Sequence, residues 1–108
     1  MNRPFTPAGQ GAVNVRELVT PRGVRAWLVE DYAVPLVSLE FAFRGGAAQD
    51  PLGKAGAATL LAGLLDEGAG DLADQAFHQA LDEKAIEISF HNERDHLGGR
   101  MRTLARHL

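Results

Sequence analysis

The chain has 108 residues, 23% of them charged, and a formal net charge of −3, which is the size and composition of one ordinary globular domain. This charge, with Lys and Arg scattered along the sequence, gives no basis for binding nucleic acid or an anionic membrane surface. With no cysteine, the chain has no disulfide, no thiolate metal ligand and no thiol nucleophile.

The first residues, 1–12, contain proline and glycine and show little periodicity, so they predict a loose N-terminal arm ahead of a single domain over 13–108. The start has no apolar core of a signal peptide, which favours the cytoplasm and leaves the periplasm open. No apolar run approaches the ~18 residues that a membrane-spanning helix needs, and we therefore expect no membrane association.

Three strands are predicted in the first half of the chain. Val15–Val19 and Val24–Glu30 flank the segment Thr20–Gly23, which has proline and glycine at the positions that a tight turn prefers, so the two strands predict a hairpin. Leu36–Phe43 is the longest of these three predicted strands and is expected to be central. Its alternation places four apolar residues on one face: Val37, Leu39, Phe41 and Phe43.

Lys54–Gly68 predicts the first helix, and its two faces differ in character. One face has the spacing of a core-facing apolar stripe: Ala57, Leu60, Leu61, Leu64 and Leu65. The opposite face is small rather than charged: Thr59, Ala62, Gly63 and Asp66. Either the helix is buried on both sides, or a partner, a ligand or another element comes close to the small face. We expect that face to be mostly open in this chain.

The second helix is predicted over Asp71–Lys84. Gly68–Gly70 has the residues of a helix C-terminal cap, and Asp71 is a good N-terminal cap for the helix that follows. Five residues form its apolar stripe: Ala73, Ala76, Phe77, Ala80 and Leu81.

Two further strands follow the second helix. Ile86–His91 alternates apolar and polar residues, Asn92–Asp95 predicts a turn, and His96–Leu104 predicts the returning strand, in which Gly98 and Gly99 permit a bulge. Strands and helices in this order predict an α+β fold, a mainly antiparallel sheet with helices on one face.

His91 and His96 flank the last turn, with Glu93 and Asp95 between them, so a carboxylate and an imidazole could meet a metal ion here. Paired metal histidines are usually neighbours on a helix or alternate on a strand, and a five-residue separation across a turn fits neither arrangement. We expect a solvated turn with no metal. The competing hypothesis is a metal-dependent hydrolase with an unorthodox site at His91, Glu93 and His96.

The run from Leu18 to Gly70, centred on FAFRGGAAQDPLGKAG, resembles the opening part of the insulinase–pitrilysin (M16) family of zinc metallopeptidases. The resemblance continues through AFHQALDEKAIEISF, covers about 13–108, and implies part of a LuxS/M16-like αβ roll. Active members carry His-x-x-Glu-His on the first helix, after a Gly-x-Ala step that Gly56-Ala57-Ala58 supplies here. All three motif residues are replaced here. Thr59 stands at the position of the first histidine ligand, Ala62 at that of the glutamate base, and Gly63 at that of the second histidine ligand.

The resemblance therefore implies a non-catalytic subunit with no catalytic residue, no cofactor and no metal. Such subunits pair with an active zinc-peptidase subunit and close a chamber for peptide substrates. The third zinc ligand of the family, a glutamate, would lie beyond Leu108. The alternative hypothesis is a fragment without a function of its own.

Overall fold

A computed structural model describes residues 13–108, which divide into two compact units at Val34 and Pro35. The arm predicted for residues 1–12 lies outside the described residues, and the single domain predicted over 13–108 stays a prediction. Within the described range, no helix has both the length and the apolar character required to cross a bilayer.

The first unit contains an antiparallel hairpin of β1 (Val15–Val19) and β2 (Arg25–Val29), as the sequence predicted. The backbone N–H of Gly23 donates to the carbonyl of Thr20 over 2.9 Å, and Gly23 has φ 82°, which glycine adopts without strain. Val24 belongs to the turn rather than to β2, because its N–H donates to the Thr20 hydroxyl. The second strand is therefore shorter than predicted.

The second unit is α+β, which confirms the predicted fold class. Its elements in chain order are β3 (Leu36–Arg44), a 3₁₀ turn (Ala47–Gln49), α1 (Ala57–Leu64), β4 (Gly68–Ala69), β5 (Leu72–Ala73), α2 (Asp74–Glu83), β6 (Glu87–Asn92), β7 (His96–Leu104) and a second 3₁₀ turn (Ala105–His107).

The main sheet has the order β3-β7-β6, with both pairs antiparallel, so β7 is the central strand. The expectation that β3 is central was wrong for the described sheet. β7 runs in continuous register with both neighbours, and the bulge that its glycines permit does not form. Instead, Gly99 makes room for the rings of Phe41 and Phe90, since a Cβ at Gly99 would lie 2.5 Å and 3.0 Å from atoms of these rings.

The two faces of this sheet differ in composition. The face toward α1, which we call the helix face, carries apolar residues on β3 and mostly apolar residues on β7 and β6. The opposite face, which we call the outer face, carries cross-strand ion pairs at its exposed surface: Glu40–Arg100 (3.3 Å) and Glu87–Arg102 (3.7 Å). Solvent-exposed pairs of this kind contribute little to stability, so the helix face supplies most of the packing.

Helix α1 begins at Ala57, three residues later than predicted. The carboxylate of Asp50 accepts hydrogen bonds from the backbone N–H of Gly56 (2.7 Å) and of Ala58 (2.9 Å), which satisfies donors at the start of the helix. Gly56 is left-handed, with φ 93°, and therefore lies outside the helix. An aspartate six residues before its partner cannot be recognised as a cap from local sequence patterns.

The predicted helix ends between α1 and α2 were also wrong. Gly68–Ala69 forms β4, which pairs with β5 in a two-residue hairpin, and Gly70 (φ 57°) turns between them. Asp71 therefore lies in the hairpin turn rather than at a helix N-cap. Ala73 occupies that N-cap position, and Asp74 follows in the first turn of α2, where a negative charge is favourable.

Candidate functional site

The three positions of the degenerate motif lie on α1, and two of them face β6. Ala62 is 8% exposed and is the one buried apolar side chain of the described residues. The side-chain amide of Asn92 on β6 donates from Nδ2 to the Thr59 hydroxyl over 3.1 Å. The small side chains thus let α1 lie close against β6.

The leucine stripe of α1 is largely exposed, which is the reverse of the expectation. Leu60, Leu61 and Leu64 keep 65%, 48% and 55% of their surface in contact with solvent. The spacing correctly separates two faces of the helix, but it does not show which face the sheet of this chain covers. A contiguous apolar surface of this kind marks an interaction site in many proteins.

The expectation of an open small face holds only in part. A Cβ added to Gly63 would meet no atom within 4 Å, so this position is open, whereas Ala62 is buried. The small face is therefore divided around the helix axis into a packed half, at Ala62, and an open half, at Gly63.

These residues do not fit the zinc ion that the resemblance implies for active members. Thr59 offers one hydroxyl, which already accepts a hydrogen bond from Asn92. Ala62 offers only a methyl group, and Gly63 has no side chain. Zinc takes nitrogen, sulfur or carboxylate ligands, and activation of water for hydrolysis also needs a base.

A cavity of about 310 Å³ lies between α1, the end of β3 and the loop that joins them. Apolar side chains dominate its lining, among them Phe43, Leu61 and Leu97, together with Gln49 and Asp50. The Asp50 carboxylate is bound to the helix N-terminus, and the other charged or polar side chains of the lining belong to Arg44 and Gln49.

The structure brings together the three residues that flank the β6–β7 turn. One potential ligand atom from each of His91, Glu93 and His96 lies within 4.8 Å of the other two. His96 Nε2 is 3.7 Å from Glu93 Oε1, and the two imidazole rings are 5.9 Å apart at 85°. We call these three residues the turn cluster.

Strand pairing explains how the three residues that the sequence singled out as potential ligands come together, although their spacing fits no usual arrangement of metal histidines. His91 lies opposite Gly98, and His96 is two residues before Gly98, so both imidazoles are on the outer face of the sheet. The usual spacings of paired metal histidines apply to residues on one helix or on one strand, so they do not describe two residues on facing strands. One signal for this was available in the sequence. In the predicted hairpin, His91 and His96 occupy positions whose side chains lie on the same face of the sheet.

No protein-family model matches the chain, and no curated protein sequence matches it significantly. Among solved structures, it is similar to the crystal structure of a peptidase M16 inactive domain from Pseudomonas fluorescens, with a TM-score of 0.79 and 25% sequence identity over 86% of this chain. This chain has the fold of an M16 inactive domain. The predicted resemblance is thus confirmed.

The M16-like chain corresponds to 22% of the length of that neighbour. The word "inactive" in the description of the neighbour applies to that protein. For the M16-like chain, the similarity supports the general kind of protein, an M16 peptidase-like domain. The residues at the motif positions are a separate observation, made on its own α1.

Proposed function

We propose that this chain is a catalytically inactive peptidase-like domain that acts as a partner or scaffold for an active zinc-peptidase subunit and helps to shape its peptide chamber. One observation carries the proposal: α1 presents a bonded hydroxyl, a buried methyl group and a bare backbone at Thr59, Ala62 and Gly63. The likeness to an M16 inactive domain supports the same general kind of protein.

The exposed leucines of α1 supply a surface for such a partner. Protein interfaces have apolar centres, and Leu60, Leu61 and Leu64 form a row on one helix that β6 does not cover. The open position at Gly63 is beside this row, so the backbone of a partner or a peptide could approach the helix closely there. A chamber wall needs such an accessible surface.

The experiment combines the purified chain with an active M16 zinc-peptidase subunit and measures both association and hydrolysis of a fluorogenic peptide. We expect no hydrolysis by the chain alone and a complex with the active subunit in sedimentation. Replacing Leu60 and Leu64 together by serine should weaken that complex. Leu52→Ser is the matched control, because Leu52 is fully exposed in the loop before α1.

Two results would overturn the proposal. One is zinc-dependent peptide hydrolysis by the chain alone. The other is a failure of the parent chain to bind the active subunit under conditions in which the parent and the serine variants are all folded.

A second experiment restores the motif with Thr59→His, Ala62→Glu and Gly63→His in a background of His91→Ala and His96→Ala, so that the turn cluster does not contribute zinc ligands. Two imidazoles four residues apart are neighbours on a helix. We expect weak zinc affinity and no hydrolysis, because the resemblance places the third ligand beyond Leu108. Rapid hydrolysis by this variant would contradict that placement.

A further inference from the structure

We infer that the turn cluster, His91, Glu93 and His96, is a binding site for a transition-metal ion of the Zn²⁺ class. The site lies on the outer face of the sheet, whereas the motif positions of α1 face the opposite side, so the inference is independent of the proposed function. Two imidazole nitrogens and one carboxylate oxygen are ligands that Zn²⁺ accepts, and solvent completes the tetrahedron.

The distances allow the three ligands to close around one ion. With metal–ligand bonds of about 2.0–2.2 Å, ligand atoms in a tetrahedral site are about 3.3 Å apart. His96 Nε2 and Glu93 Oε1 are already at 3.7 Å, and the three ligand atoms lie within 4.8 Å of one another. The side chains of Glu93 and His96 are 64% and 36% exposed, so both can rotate toward the half-buried His91 ring and shorten the remaining separations.

Backbone hydrogen bonds hold the turn that carries these ligands. The N–H of Glu93 donates to the carbonyl of His96 over 2.9 Å and closes the turn on itself. The loop after β3 supplies three more donors, which pair as Gly45 to Asp95 (2.9 Å), Ala47 to Glu93 (2.9 Å) and Ala48 to Arg94 (2.8 Å). A turn fixed in this way loses little conformational freedom when it binds an ion, which favours binding.

Gly98 positions the first imidazole. A Cβ at Gly98 would lie 2.6 Å from Nε2 and 2.8 Å from Cε1 of His91, so only glycine lets this ring lie against the backbone of β7. His91 is half-buried there. Its ring is therefore held on the outer face, beside the ring of His96, rather than extended into solvent.

The charges around the turn cluster are mixed. Arg44 pairs with His96 across β3 and β7, and its positive charge opposes a bound cation. Glu93 is itself a ligand, and the Asp95 carboxylate, 4.0 Å from the Arg94 guanidinium, adds a second negative charge at the turn. The acidic groups of the turn offset the arginines, so the ligand set decides the affinity.

The test titrates the full chain, purified without a metal-binding tag, with Zn²⁺ in a calorimeter. We expect one ion per chain. His91→Ala and His96→Ala should each lower the association constant by roughly tenfold or more, as the loss of a good ligand implies. His78→Ala is the matched control: its imidazole is 3.2 Å from Asp74 on α2, a histidine–carboxylate pair outside the cluster, and binding should be unchanged.

A second measurement on the parent chain keeps the test valid if a variant fails to fold. Co²⁺ in a site with imidazole and carboxylate ligands should give visible absorption bands that Zn²⁺ abolishes, and the imidazole resonances of His91 and His96 should shift while that of His78 does not. Absence of Zn²⁺ binding to the parent chain would overturn the inference. So would binding that depends on His78, or binding that leaves the resonances of His91 and His96 unchanged.

Discussion

A metal site requires suitable ligand side chains at a suitable spacing. Helix α1 has the spacing without the ligands, whereas the β6–β7 turn has the ligands without a recognised spacing. On α1, the spacing of Thr59, Ala62 and Gly63 is that of the M16 motif, but none of the three residues is a good ligand. At the turn, His91, Glu93 and His96 are good ligands, and their spacing matches no helical template. The comparison shows that ligand geometry arises from local periodicity in a helix and from strand pairing in a hairpin.

The two regions also differ in how they are packed. The central motif position on α1 is buried at Ala62, whereas the turn cluster contains an exposed Glu93 and two half-buried histidines. In this chain, Thr59 and Ala62 help to hold α1 against β6, whereas Gly63 is open. The turn is held in place by a separate loop, through backbone groups that leave its side chains free.

The largest expected effect is on the turn. Gly46→Ala should lower the free energy of unfolding by roughly 3 kcal/mol, because a left-handed residue with a side chain is strained and the added methyl overpacks its surroundings. Gly46 has φ 49°, and a Cβ there would lie 2.1 Å from the carbonyl oxygen of Glu93 and 2.7 Å from the N of His96. Urea denaturation measures the change.

Gly53→Ala is the control for this change. Gly53 has a similar positive φ of 77°, but a Cβ there meets no atom within 4 Å. It should lose only the conformational part, about 1 kcal/mol. Equal losses at the two glycines would show that the contact with the turn contributes nothing.

The next effect is on the packed half of α1. Ala62→Leu should cost roughly 2 kcal/mol by overpacking against β6, since Ala62 is buried. The same substitution at Ala76, which is exposed on α2, should leave the free energy of unfolding nearly unchanged. A neutral result for Ala62→Leu in urea denaturation would mean that α1 is not seated on β6 through this residue.

A smaller effect is expected at the start of α1. Asp50→Ala removes both hydrogen bonds to Gly56 and Ala58, and it should lower the free energy of unfolding by about 1 kcal/mol. Asp50→Asn keeps one acceptor oxygen and should retain part of that stability. Helical circular dichroism during thermal unfolding measures both variants, and identical behaviour of the two would rule out a capping role.

The smallest effect should be a gain. Gly63→Ala adds a methyl group to the open half of the small face and should stabilise the chain by up to about 1 kcal/mol, because alanine is the better helix former. A loss of stability in thermal unfolding would show that the position is covered. That result would remove the support for an approachable surface at α1.

Strands with strong alternation were predictable from the sequence, and their order in the sheet was not. β1 and β7 have the predicted bounds. Turn residues mark one end of each strand, since Thr20 and Pro21 follow Val15–Val19 and the turn Asn92–Asp95 precedes His96–Leu104. The central place of β7 follows from pairing with β3, more than fifty residues away in the chain. The apolar alternation favoured β3, but it does not determine which strand lies between two others.

For the site, local patterns could identify candidates but not their surroundings. The faces of α1 were separated correctly, yet the side that contacts β6 is the one with Thr59 and Ala62, because small residues allow a close approach. The resemblance to the M16 family came from sequence and was confirmed by the fold. The sequence named the three residues of the turn cluster, but their proximity required the register of β6 and β7, in which His91 faces Gly98.

The contact between the loop after β3 and the β6–β7 turn has a consequence for amide hydrogen exchange. Three loop amides donate to three successive carbonyls of the turn, in the pairs Gly45–Asp95, Ala47–Glu93 and Ala48–Arg94. None of these amides can reach solvent without separating segments that are 46 to 50 residues apart in sequence, so they should exchange together, in one opening event. Exchange at Gly45 therefore reports on the integrity of a turn to which it does not belong.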